Sequence, residues 1–171
     1  MHGRLAKGFT LLEMVITLTM LSAMAALSAP YLSNGVRAFN ESASAVHTLS
    51  KLRIASERLV REIREVGLDA GNNYNITSMT SSQLVFTKTD GVEVSIDIAA
   101  PVITLAYDSV AATPTLTDEV NASSALSYLQ SDGSTTAFTN ADVKFIEFEL
   151  ILTHSGNNYA QRGRIALRNQ P

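Results

Sequence analysis

The chain contains no cysteine and no tryptophan, only three histidines and four prolines, and charged residues make up just 17% of it. Without cysteine there is no disulfide scaffold, no thiolate metal site and no thiol nucleophile, although the compartment is not thereby identified. His2, His47 and His154 stand far apart and match no zinc-binding spacing, which favours surface or structural roles. No GxSxG, phosphate-binding loop or dinucleotide fingerprint occurs, so catalytic chemistry has no candidate residue and no cofactor is implied. Positive charge is also scarce. From Gly67 onward, Lys88, Lys144, Arg162, Arg164 and Arg168 face eleven acids, a balance of 5 − 11 = −6. That is the wrong sign for a phosphate-binding surface and argues against nucleic acid. Arg162, Arg164 and Arg168 are expected on one strand face, where their simplest role is to keep an edge strand solvated. Asp69, Asn72 and Asn73, or Asp132, Asn140 and Asp142, carry oxygen ligands suited to calcium, but ordinary turn chemistry explains both groups better.

What the chain does have is one long apolar run. From Phe9 to Leu32 there are 24 residues, of which only Glu13 is charged. As a helix this stretch reaches roughly 36 Å, enough to cross a ~30 Å hydrocarbon core. Arg4 and Lys7 precede it, so the positive-inside bias keeps the N-terminus cytoplasmic and puts everything after Leu32 outside. A carboxylate at membrane depth costs about 2.5–3.5 kcal/mol on insertion scales and therefore calls for a partner. No basic residue follows within the run. Cleavage after Gly8 would create one, the new α-amine of Phe9, either on the same helix or on the next helix of a bundle. Glycine suits such a cut because the missing Cβ lets a protease approach the backbone. The competing reading is a secretory signal peptide cut near Ala23-Met24-Ala25. Its apolar core would be unusually long, and it would have no use for Glu13.

Lys7-Gly8-Phe9-Thr10-Leu11-Leu12-Glu13 resembles the processing motif of type IV pilins and of the pseudopilins of type II secretion. That resemblance implies cleavage between Gly8 and Phe9 by a prepilin peptidase, N-methylation of Phe9, and a role for Glu13 in docking into a growing filament. It implies as partners the other major and minor subunits, an inner-membrane assembly platform and membrane lipid. Pro30 falls where such proteins commonly carry a helix-bending proline. The stretch Glu57 to Gly67, ERLVREIREVG, is similar to that of minor pilins of the J, W and MSHA O groups. The implied activity is assembly rather than turnover; a filament-tip adhesin is the alternative, and a membrane-tethered enzyme ranks lower.

Within the run, Ala23, Ala25, Ala26 and Ala29 permit close helix approach, and Thr17, Thr19 and Ser22 are placed to bond back to their own helix carbonyls. Pro30 removes one backbone donor and is expected to bend the helix near Ala26. From Val36 to Val66 the apolar spacing is helical through Val36, Phe39, Val46, Leu49, Leu52, Leu59, Ile63 and Val66, with Gly67 as a stop. Glu57–Arg61, Arg58–Glu62 and Arg61–Glu65 read as exposed i,i+4 pairs. Beyond Gly67 the period falls to two. Residues 69–80 read as a connecting loop, Gln83–Thr89 and Val92–Ile98 as a hairpin around Asp90-Gly91, and Val102–Tyr107 as a strand. Ala111–Ala125 reads as a variable surface loop on which an adhesin would place its ligand contacts. Leu126–Gln130, Val143–Thr153 and Tyr159–Arg168 follow as strands, the last two joined by a turn over Ser155 to Asn158. The expected fold is α+β: a long N-terminal helix packed on an antiparallel sheet, split or single. Its expected divisions are a leader at 1–8, a membrane helix at 9–32, an amphipathic stem at 33–66 and a β-rich head at 67–171.

Overall fold

The computed structural model describes residues 8–167; Arg4, Lys7, His2 and Arg168 lie outside the described residues. The chain divides into two compact units, Met1–Ser44 and Ala45–Pro171. The described part of the first unit is one apolar helical segment whose side chains are exposed almost throughout. Helix α1, Leu11–Ile63, begins there and runs unbroken through Pro30, so the proline does not terminate it.

The second unit is the head, and in it α1 gains a buried face. Thr48, Leu52, Ala55, Leu59, Glu62 and Ile63 are buried at spacings of three and four, the signature of one helix stripe turned inward. Val46 and Leu49, expected on that stripe, are 67% and 49% exposed instead. The inward face is set by where the sheets lie, and it carries Thr48 rather than its apolar neighbours. The helix stops at Ile63, three residues short of the expected Val66, which pairs instead with Lys88 in an isolated bridge. Gly67 follows, donating its N–H to Thr87 O at 2.8 Å. A Cβ there would stand 3.0 Å from the Lys88 backbone, so the close crossing favours glycine.

Five antiparallel strands form a meander in chain order: β1 Ile76–Met79, β2 Gln83–Thr87, β3 Glu93–Ala99, β4 Val102–Tyr107 and β5 Thr115–Thr117. Gly91, at φ +89°, makes the expected turn between β2 and β3. A second antiparallel sheet holds β6 Ala125–Leu129, β7 Phe145–His154 and β8 Asn157–Ala166. The inward residues of both sheets, among them Leu84, Phe86, Ile96 and Ile103 in the first and Ile146, Phe148, Leu150 and Ile165 in the second, join Leu52, Leu59 and Ile63 in one core. Each fully buried aliphatic side chain contributes about 1.5–3 kcal/mol. Tyr128 on β6 links the sheets by donating to the carbonyls of Thr80 and Gln83 at 2.9 and 3.0 Å. Burial raises its phenol above the ordinary tyrosine range.

Several expectations change. Residues 69–80 contain a strand, β1, because Ile76 has a buried place against β2 despite its polar surroundings. Ala111–Ala125 is not a free loop: β5 pairs with β4, and Val120 is buried and bridged to Leu152. The β7–β8 turn is tighter than expected, with Ser155 and Gly156 at positive φ and Asn157 and Asn158 already in β8. Of the three helix ion pairs only Arg58–Glu62 forms, together with an unforeseen Arg53–Glu57, and Glu62 is buried rather than exposed.

Candidate assembly site

The site is built at the start of α1. Gly8, Phe9 and Thr10 precede the helix, and Thr10 caps it: the Glu13 N–H reaches Thr10 Oγ1 at 3.3 Å, and the Met14 N–H reaches Thr10 O at 3.1 Å. Threonine at the N-cap with glutamate three residues on is the spacing of a capping box. The Thr-x-x-Glu spacing is legible in the sequence, and the structure forms the Thr10 half of the box, with the Glu13 N–H as donor. In the first turn a carboxylate also complements the positive end of the helix dipole. Neither effect occupies the charge fully, and among the described residues no ion pair or side-chain hydrogen bond reaches the Glu13 carboxylate. In lipid that group would need a cation.

Gly8 has nothing within 4 Å of the place a Cβ would occupy, and its φ lies outside the left-handed region. Among the described residues, no neighbour and no backbone strain therefore demands glycine at position 8. A reason outside the chain, such as a protease that must approach the backbone, remains.

Around and beyond Glu13 the segment exposes an apolar surface: Phe9, Leu12, Met14, Val15, Leu18, Leu21, Met24 and Leu27 are each between 50% and 76% exposed. Thr17, Thr19, Ser22 and Ser28 donate their hydroxyls to carbonyls one turn back, at 2.7–3.0 Å. Their polarity is consumed within the helix, so Glu13 is left as a charged group of the segment without a partner among the described residues. The helix is long and apolar enough to cross a membrane.

Residues 3–29 match the family model for the prokaryotic N-terminal methylation motif. The N-terminal segment is type IV pilin-like. No curated protein and no solved structure matches the chain. The pilin-like segment thus carries Gly8, Phe9 and Glu13 within the matched residues, followed by the β-rich head of an α+β chain. The motif supports a processed subunit of pilin or pseudopilin type, and the apolar helix is consistent with a membrane anchor.

The other candidate groups are accounted for by local structure. Asp69 Oδ1 accepts the N–H groups of Gly71 and Asn73 at 2.8 and 2.9 Å, and Asn72 sits at φ 62° in that turn. Asp132 accepts from Ser134 and Thr135, whose hydrogen bonds hold its carboxyl well below the usual range. Asp142 accepts from the Thr139 hydroxyl at 2.7 Å. Arg162 and Arg164 do share a strand face, but Glu149 and Glu147 neutralise them across the β7–β8 pair. His47 is exposed, and His154 Nδ1 lies 2.6 Å from Glu119 Oε1.

Proposed function

We propose that this chain is a minor pilin or pseudopilin subunit that assembles into, or primes, a type IV pilus or type II secretion-type filament. Prepilin peptidase cuts between Gly8 and Phe9, and the new Phe9 amine is methylated. Residues 9–32 hold the subunit in the inner membrane with its N-terminus cytoplasmic and its head outside. Glu13 then meets the Phe9 amine of a neighbouring subunit, and the exposed alanine and leucine surface packs against other such helices on the assembly platform. Pro30 loosens the helix where the lipid-borne and external parts join.

The reading is carried by the methylation motif over residues 3–29, which encloses a glycine the fold does not require and a carboxylate it does not neutralise. Minor rather than major status rests on the Glu57 to Gly67 resemblance. Abundance in sheared filaments checks that part. For the whole reading the test is intact mass and N-terminal sequence of the chain recovered from membranes. The expected species begins at N-methylated Phe9. A mature chain beginning after Ala25 would make it an ordinary secreted protein and remove the assembly role.

The adhesin alternative would place its contacts on residues 111–115, which stay exposed although β5 and Val120 tie the rest of the stretch into the head.

A further inference from the structure

The second sheet ends on β8, with β7 on one side and no strand among the described residues on the other. The β7–β8 ladder runs through ten consecutive residue pairs, from His154–Asn157 to Phe145–Ala166, without a register shift. Hydrogen bonds on the far side of β7 fix which way its peptide groups face. Ile151 donates its N–H to Ser124 Oγ at 2.9 Å and accepts from the Asn121 N–H at 2.8 Å, while Thr153 donates to Glu119 O at 2.8 Å. The odd-numbered residues of β7 thus turn away from β8. Antiparallel alternation turns Phe148, Leu150 and Leu152 toward it, against Gly163, Gln161 and Tyr159. The intervening residues Asn158, Ala160, Arg162 and Arg164 are left with N–H and C=O groups pointing off the free edge.

A cleft of about 530 Å³ lies between this edge and α1, with Val60, Phe148, Gln161 and Gly163 lining it and Arg61 and Arg64 along its wall. The two glutamates on the cleft are taken: Glu57 binds Arg53 and Glu65 binds Lys88, each at 2.8 Å. Arg61 and Arg64 have no acidic partner among the described residues. The usual defence of an edge, a bulge, a proline or an uncompensated charge, is missing, since Arg162 and Arg164 are neutralised by Glu149 and Glu147.

We propose that the β8 edge and the Arg61–Arg64 wall bind an extended segment of a different protein, added as a fourth strand and carrying carboxylates two residues apart. Backbone groups of Asn158 to Arg164 supply the ladder, and the arginines read the charge. The spacing agrees: helix residues three apart have Cβ atoms about 5–6 Å apart, and same-face strand neighbours are separated by about 6.6–6.8 Å. A second copy of this chain does not fit. Its sole acid-x-acid pair is Glu147 and Glu149, already held by Arg164 and Arg162. The surface is independent of the filament reading, since it needs only the head.

The test uses the full chain in detergent and a capped peptide, Val-Thr-Glu-Thr-Glu-Thr-Val, alongside its Gln-for-Glu counterpart. Saturable binding is expected, at least tenfold tighter for the glutamate peptide and weakened by added salt. Arg61→Gln with Arg64→Gln, both exposed positions, should erase that tenfold preference. Ala160→Pro, which removes one outward N–H and leaves the β7 pairing in place, should abolish binding of both peptides while circular dichroism stays unchanged. Absence of binding to the unaltered chain, or an undiminished glutamate preference in the double variant, overturns the proposal. Self-association of the unaltered chain that Ala160→Pro abolishes would overturn it in favour of a second copy.

Discussion

Glu62 Oε2 and Lys88 Nζ meet at 2.6 Å between α1 and the end of β2, with the glutamate side chain only 3% exposed and the lysine 12%. The contact is an ion pair rather than a well-aligned hydrogen bond. Arg58 holds the other carboxylate oxygen at 2.9 Å and also donates to Tyr107 Oη at 2.5 Å, while Lys88 reaches Glu65 at 2.8 Å. Burial draws the Lys88 pKa down, but the pairing with Glu62 and Glu65 outweighs it and the net shift is upward. This network pins the last turn of the helix to the five-stranded sheet.

Glu62→Ala should therefore destabilise the head by about 3 kcal/mol, because the largely buried Lys88 is then left with only the half-exposed Glu65 as counter-charge. A thermal or urea melt of the solubilised chain measures it. Glu62→Met with Lys88→Met should restore most of the loss, since an apolar pair of similar volume leaves no charge to bury. A single variant as stable as the parent would mean that water reaches the pair.

Gly163 lies across from Phe148, and a Cβ at 163 would stand 2.3 Å from the Phe148 ring. Gly163→Ala should cost about 1–3 kcal/mol through overpacking. Adding Phe148→Leu should recover part of that loss, because the ring is the obstacle. Additive losses in the double variant would place the strain elsewhere.

At low pH the clamp between the helix and the β5–β6 connection should fail. Lys51 Nζ lies 2.7 Å from Asp118 Oδ1 and 3.4 Å from Glu119 Oε2. The hydrogen bond from Lys51 lowers the Asp118 carboxyl below its ordinary 3.8, and the bond to His154 lowers Glu119 below 4.5. Lowered folded values mean that the contribution is complete above the unfolded pKa values and is lost as pH falls through the folded ones. The melting temperature should drop below about pH 4 more steeply in the parent than in Lys51→Met. Parallel curves would show that the clamp adds nothing.

The charge of Glu13 is separable from its place in the first turn, and two substitutions distinguish them. Glu13→Gln keeps a side chain able to cap the first turn but removes the charge. If pairing with a neighbouring amine drives assembly, Glu13→Gln and Glu13→Ala should both insert in the membrane and both reduce filament incorporation at least tenfold, the size of a lost pairing of about 1.4 kcal/mol. Normal incorporation of Glu13→Gln would reduce Glu13 to a capping residue.

The sequence by itself determined the features that depend on local chemistry. The apolar run with its one acid, the helical spacing after Val36 and the Asp90-Gly91 turn are each set by neighbours a few residues away. The Thr10 cap is equally local, set by the Thr-x-x-Glu spacing. Only the tertiary structure decided which side of the stem became the interior. Arg58, Arg61, Glu62 and Glu65 look alike in an alternating helix, yet Glu62 is buried because Lys88 arrives from the end of β2 to meet it, while Arg61 and Arg64 have no acidic partner among the described residues. The same holds for β1 and β5, whose polar sequences become strands because β2 and β4 offer them hydrogen-bonding edges. Periodicity can state that a face exists; the surface that covers it comes from distant parts of the chain.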